Sequence, residues 1–464
     1  MGQEVDKERF SEADYTRFGE RLTEQLAELR ELLDRPDFGA GPTTIGAELE
    51  LFLIDERGRP LPLNAEVLKL LGDERLTVEL GRYNVEANLT PLPLEGRPFE
   101  ELAAETQVLT TAVDGAVGAL GGGGAVPIGI LPTLGTGDFT QAAISDEARY
   151  RALGRGMRRL RLEPFIVRID ELELEVQDVI LEAANTSWQV HLRTPLSSFA
   201  RTYNGAQLAI GPVLAACGNS PFFLGRRLWE ETRIALFEEA ADDRDVGRRF
   251  RRDGRVTFGS DWVREGPYEL FERCVRDYEP IIPALSPGSS GGELAELRLH
   301  MGTVWQWNRP VYDPADGGHL RIEFRALPAG PTCADMAANT AFLLGLTLAL
   351  AERDLTGLPF GDAYQNFYRA AMGGLQAKLT WEGREVLAAD LVLSLLPEAR
   401  AALLKAGVQP SDADLEIIAQ RVRLGRTGAA WQREAMAELD GDTEAMVRLY
   451  HENALIGFPV HMWR

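Results

Sequence analysis

Lysine is almost missing from this chain. Only Lys7, Lys69, Lys378 and Lys405 occur among 464 residues, so 45 of the 49 basic residues are arginines. No Gly-Lys-Ser/Thr tripeptide exists, which excludes a P-loop. A bound nucleotide would need arginines or metal-bound carboxylates to hold its phosphates. Cysteine is equally sparse. Cys217, Cys274 and Cys333 form no Cys-x-x-Cys pair, which fits a reducing cytoplasm and leaves no structural zinc site. No uninterrupted run of about 18 apolar residues occurs, so no membrane span is expected. The first residues are charged and lack an apolar core, so no secretory signal is expected. The chain does open Met1-Gly2, but Val5-Asp6-Lys7 does not complete a myristoylation signal. Positive charge is in deficit, with a net charge of −22, which argues against a nucleic-acid partner. The acidic surface reads as solubility.

What is present is ordinary in amount: 45% hydrophobic and 26% charged residues, enough for a sizeable core. Residues 7–34 place Phe18, Leu22, Leu26, Leu29 and Leu33 at helical spacing. Strand-like alternation follows over Thr44–Asp55 and Leu76–Leu89. Helices are expected over 98–120, 199–217, 227–240 and 333–352, and strands over Ala125–Leu131, Ser187–Arg193 and His319–Leu327. From about 361 the pattern is mostly helical. No repeat and no low-complexity linker interrupts the chain. One unit is therefore expected, with a core over 1–360 and a helical portion over 361–464. The glycine run Gly121–Gly124 lacks the strand–glycine–helix order of a phosphate loop and reads as a flexible turn.

Four strand-like segments share one chemistry. In Thr44–Asp55, Glu48 and Glu50 point one way, while Ala47, Leu49, Leu51 and Leu53 point the other. In Leu76–Leu89, Gly81-Arg82 is expected to make a two-residue hairpin turn, pairing Leu80 with Tyr83, Glu79 with Asn84 and Thr77 with Glu86. Glu79 and Glu86 then become diagonal neighbours on one face, roughly 7–8 Å apart. Gln189, His191 and Arg193 share a face of the third segment. Arg321, Glu323 and Arg325 share a face of the fourth, alternating with Leu320, Ile322 and Phe324. Carboxylates brought together destabilise one another unless protonated or matched by cations. Hard oxygen ligands with one imidazole suit Mg²⁺ or Mn²⁺, metals that also hold nucleotide phosphates. Arginines on the same face supply fixed donors to phosphate oxygens. The bland alternative is a solvated sheet face with scattered charges.

These segments resemble the glutamate–cysteine ligase superfamily, which is related in fold to glutamine synthetase. Gly46-Ala-Glu48-Leu-Glu50 is similar to its Gly-x-Glu-x-Glu strand. The seven-residue spacing of Glu79 and Glu86, followed by Thr90-Pro91, resembles its next glutamate pair. Gln189-Val-His191, Asn219-Ser220-Pro221-Phe222 with Arg233 downstream, and Arg321-Ile-Glu323-Phe-Arg325 follow in the family's order. The resemblance runs from about residue 44 to 350 and more weakly beyond. It implies an α+β fold whose curved antiparallel sheet forms an active-site funnel flanked by helices. It implies a catalytic core that uses ATP and Mg²⁺ or Mn²⁺ to join a carboxylic acid such as glutamate to an amine. Glu50, Glu79 and Glu86 would hold one ion near the amino-acid substrate, and Glu48, His191 and Glu323 another on the ATP phosphates. Arg325 would contact the phosphoryl group in flight, and Arg233 a phosphate or substrate carboxylate. Arg193, Arg309 and Arg321 would serve the nucleotide.

The sequence departs from better-known members at two places. Gln189 stands where a first histidine often sits, and His300–Pro310 differs from the usual loop before the last strand, which leaves cysteine in doubt as the acceptor. Rival readings are a guanidino kinase-like phosphotransferase, which would need a reactive cysteine, and a non-catalytic regulatory relative. The apolar end Pro459–Arg464 reads as a tail docked by Trp463, with closure over the active site as the sharper alternative. A homodimer is the base-rate expectation, with a cytoplasmic location and no membrane partner.

Overall fold

The computed structural model describes residues 5, 7–161, 163–176, 179–245, 252–286 and 292–464. The Met1-Gly2 start lies outside them. Eight strands make one antiparallel sheet: β1 (Thr44–Ile54), β2 (Leu76–Val78), β3 (Asn84–Asn88), β4 (Leu92–Pro93), β5 (Gly124–Val126), β6 (Trp188–Arg193), β7 (Asn308–Asp313) and β8 (His319–Phe324). Their order is β7-β8-β6-β1-β3-β2, with β4 and β5 paired to the two ends of β1.

Period-two alternation sorts the faces. Leu49, Leu51, Val85, Ala87, Trp188, Val190, Leu192, Ile322 and Phe324 are fully buried on the apolar side. Each such large side chain contributes about 1.5–3 kcal/mol on leaving water. Three leucines on β1 therefore contribute on the scale of the several kcal/mol it costs to desolvate a carboxylate on its other face.

Fourteen helices surround the sheet among the described residues: α1 (Glu12–Leu33), α2 (Asn64–Leu71), α3 (Pro98–Ala119), α4 (Ala148–Leu160), α5 (Phe199–Cys217), α6 (Thr232–Ala240), α7 (Tyr268–Asp277), α8 (Ala295–Met301), α9 (Cys333–Ala351), α10 (Phe360–Gly373), α11 (Ala388–Lys405), α12 (Glu416–Leu424), α13 (Gly428–Glu438) and α14 (Thr443–Ile456). Ser11 starts α1 through a capping box with Asp14. α9 is apolar and long enough to span a bilayer, yet it is mostly buried, packed between α5 and α11. Asp335 in its first turn pairs with Arg421 of α12 at 2.7 Å, and the Trp188 indole donates to Thr340 at 2.8 Å. α9 is thus the core helix behind the sheet.

Several expectations shift. The strand expected to reach Leu131 stops at Val126, because Pro127 has no N–H to continue the ladder. The helix expected from 227 starts at Thr232, since Arg226–Arg227 pairs back with Phe222–Phe223. The helical portion after 361 contains a hairpin, Lys378–Trp381 with Arg384–Leu387, turned at Glu382-Gly383, where both residues have positive φ. The glycine run makes a tight passage from α3 into β5. Side chains at Gly122, Gly123 or Gly124 would strike Val117, the Asp55 carbonyl or Asp114. The tail is docked: Trp463 lies edge-on to both Trp431 and Tyr450, with centroids 5.0 Å apart in each pair.

Candidate active site

β1 carries Glu48 and Glu50 on one face, and the neighbouring strands decide what each meets. Glu50 stands directly opposite Glu86 on β3. Glu79 follows the end of β2 and completes a group in which each carboxylate offers an oxygen within 4.8 Å of the others. The group is held by donors. Ser187 gives its N–H and hydroxyl to Glu50 at 2.6 and 3.0 Å, and Gln189 Nε2 gives a third bond at 2.8 Å. Thr77 and Asn88 donate to Glu86 at 3.1 and 2.8 Å. The Leu80 N–H donates to Glu79. Burial, reinforced by Glu86, pushes Glu50 up to about 7. Burial, then Glu86 and Glu50, pushes Glu79 well above the usual carboxylate range. Three acids crowded together disfavour one another's charged forms.

The expected pairing of Thr77 with Glu86 holds, but the turn does not. The ladder ends at Val78–Val85, and the turn spans Gly81–Asn84, closed by the Asn84 N–H on the Gly81 carbonyl at 2.9 Å. Gly81-Arg82 are therefore not its central pair. The 143–145 segment claims this backbone instead: Arg82 N–H binds the Ala143 carbonyl, and Ser145 N–H binds the Leu80 carbonyl, both at 2.8 Å. Glu79 and Glu86 converge all the same, because the register below the turn is kept.

A second group lies along the same face. Glu323 of β8 is directly opposite His191 of β6, and His191 Nε2 is 3.1 Å from Glu48 Oε1. Ligand atoms of Glu48, His191 and Glu323 also fall within 4.8 Å of one another. The buried Nδ1 of His191 has no hydrogen-bond partner among the described residues. Burial works to raise Glu323, but Arg309 and Arg325 outweigh it and hold the carboxyl at about 2. Gln189 joins the two groups, donating to Glu50 and accepting from Arg325 Nη1.

Both groups open into one cavity of about 820 Å³. Arg309, Arg321 and Arg325 line it with all six expected ligands. Arg321 is paired with Asp313 at 2.5 Å. Two expected arginines sit elsewhere. Arg193 is turned to Asp316 at 3.1 Å and to the Ala40 carbonyl, because the loops carrying those groups close over the end of β6. Arg233 is buried behind the cavity, bonded to Glu231 at 3.1 Å and to the carbonyls of Arg325 and Ala326. Asn219 is likewise a structural hub, donating to the Ala329 carbonyl and the Tyr450 hydroxyl at 2.7 and 2.8 Å.

Sequence reasoning missed the residues that approach from across the cavity: Glu182 on the short helical turn Val179–Ala184, Arg149 and Tyr150 on α4, and Arg298 on α8. Burial and then Glu50 push Glu182 up to about 8. Its one visible signal was a lone acid inside Val179-Ile-Leu-Glu-Ala-Ala.

The donor sets suit a hard divalent cation. Oxygen ligands of Mg²⁺ lie at about 2.1 Å, so donors on opposite sides of one ion are about 4.2 Å apart. Small side-chain motions bring each group to that span.

A model of glutamate–cysteine ligase family 2 (GCS2) matches residues 44–450. Among solved structures, the glutamate–cysteine ligase of Francisella tularensis in complex with AMP superposes with a TM-score of 0.55 at 13% identity, covering 92% of this chain and 91% of that one. A bifunctional glutathione synthetase from Pasteurella multocida gives 0.48 at 11% identity, covering 94% of this chain and 55% of that one. The ligase PafA in complex with the prokaryotic ubiquitin-like protein Pup gives 0.39 at 9% identity, covering 86% and 68%. Only the first exceeds 0.5, so the shared fold rests on it. Comparison with curated proteins finds no match.

Proposed function

This chain belongs to glutamate–cysteine ligase family 2, and we propose that it is an ATP-dependent carboxylate–amine ligase that forms an amide through an acyl phosphate. One observation carries the reading: two three-ligand groups share one sheet face and one cavity with three arginines. Glu50, Glu79 and Glu86 would hold one Mg²⁺, and Glu48, His191 and Glu323 the other. Bound there, such ions would supply positive charge to neutralise the phosphate as its charge shifts between oxygens.

The chain's own residues do the rest. Arg325, fixed by Gln189 and Glu323, presents its guanidinium to the transferring phosphoryl group. Arg233 acts one step back, setting the backbone at Arg325 and Ala326. Arg309 and Arg321 face the remaining phosphates. Ser187 and Gln189 fix the orientation of Glu50. The carboxylate substrate, in our reading the γ-carboxylate of glutamate, attacks the terminal phosphorus of ATP, ADP leaves, and an amine displaces phosphate from the acyl carbon. No enzyme nucleophile is required. The residues from 361 onward belong to the same catalytic unit in this reading, since α10 packs on α5 and α11 on α9.

A guanidino kinase-like reading is disfavoured by the cysteines. All three are buried, and burial pushes each thiol up to about 12. The same buried free thiols support a cytoplasmic location. The acyl phosphate is tested with ¹⁸O-labelled carboxylic acid. One label should appear in the released phosphate; unlabelled phosphate alongside amide formation would refute this route.

A further inference from the structure

Arg309 and Glu323 are direct partners across β7 and β8. The guanidinium engages both carboxylate oxygens: Nη2 donates to Oε1 at 2.9 Å, and Nε donates to Oε2. The same carboxylate belongs to the group with Glu48 and His191. A cation seated in that group needs an oxygen that the arginine fork now covers, and it would stand beside a like charge. A divalent ion and Arg309 therefore compete for Glu323.

The other arginines near this group are anchored independently. Arg325 is also held by Gln189, and Arg233 by Glu231 and two carbonyls. Beyond Glu323, Arg309 has one long contact among the described residues, from Nη1 to the Met301 carbonyl at 3.4 Å. It stands on β7, the last strand in the sheet order, and lines the cavity next to Arg321. We propose that Arg309 is an exchangeable counter-ion, which holds Glu323 until a divalent cation takes it and then turns to a phosphate oxyanion in the cavity. Loading of the metal and capture of the nucleotide phosphate are thereby coupled through one side chain. The inference rests on the two-ion reading above.

The coupling gives effects of opposite sign. Mn²⁺ binding is measured by electron paramagnetic resonance without nucleotide, on the wild type and on Arg309→Met, Arg309→Lys and Glu323→Gln. The ion lost in Glu323→Gln is the one to follow. Arg309→Met should bind that ion about tenfold more tightly, because its competitor is gone. Arg309→Lys, with a charge but no fork, should fall between. With Mn²⁺ saturating, a non-hydrolysable ATP analogue should bind Arg309→Met about tenfold more weakly. Unchanged or weaker Mn²⁺ binding by a folded Arg309→Met would overturn the exchange while leaving the ion site standing. A wild type that binds no Mn²⁺ would remove the two-ion reading and the exchange together.

Discussion

Glu50 and Glu86 stand opposite each other across β1 and β3, and Glu79 closes the triangle within 4.8 Å. Among the described residues, Ser187, Gln189, Thr77 and Asn88 hold two of these carboxylates with neutral donors. These donors orient the carboxylates without cancelling their charge.

In the two-ion reading, that arrangement trades stability for ion binding. Glu79→Gln removes one charge from the cluster and keeps its shape. Without metal, the variant should melt at or above the wild-type temperature at pH 8. Added Mg²⁺ should raise the wild-type melting temperature and leave the variant's nearly unmoved, while turnover falls at least 100-fold, on the order of 3 kcal/mol. A variant that melts lower without metal and keeps the Mg²⁺ response would contradict the assignment.

Arg233 is expected to act by positioning. Arg233→Lys keeps the charge but loses the fork that binds Glu231 and the carbonyls of Arg325 and Ala326. Turnover should drop about 10- to 100-fold with little change in the KM for ATP, as for an interaction realised in the transition state. A rise in KM with unchanged turnover would instead put Arg233 in direct contact with substrate.

A pH effect is expected away from the cavity. Burial pushes Glu238 on α6 up to about 7, where it accepts from Trp307 and Tyr368 at 2.9 and 2.7 Å. Its folded value lies above the unfolded one, so its stabilising contribution is complete below about 4.5 and is lost as pH rises through 7. Glu238→Gln keeps an acceptor and cannot ionise. Denaturant unfolding should find it more stable than wild type at pH 8, on the order of 2 kcal/mol, and equal near pH 4.5. A difference independent of pH would show that the carboxyl is not the cause.

Much of this site was legible because strands alternate strictly. Glu48 with Glu50 and Thr77 opposite Glu86 follow from period two and a kept register, whereas the meeting of His191 with Glu323 was implied by the family resemblance and not by periodicity. The failures share a cause: the deciding partner was distant in sequence. The turn after Glu79 moved because the 143–145 segment took its backbone bonds. Arg193 and Arg321 share a pattern in sequence, but Ala40 and Asp316 draw Arg193 away from the cavity. Glu182, Arg149 and Tyr150 reach the cavity from elements whose periodicity says nothing about what they cover.

The central claim, an ATP-consuming ligase, is tested most directly by ADP release with glutamate fixed, Mg²⁺ present and the amine varied across a broad panel. The account predicts that one class of amine accelerates ADP release, that omitting either the acid or Mg²⁺ abolishes it, and that amide forms in equal amount. ADP release indifferent to every amine, with no amide formed, would contradict it.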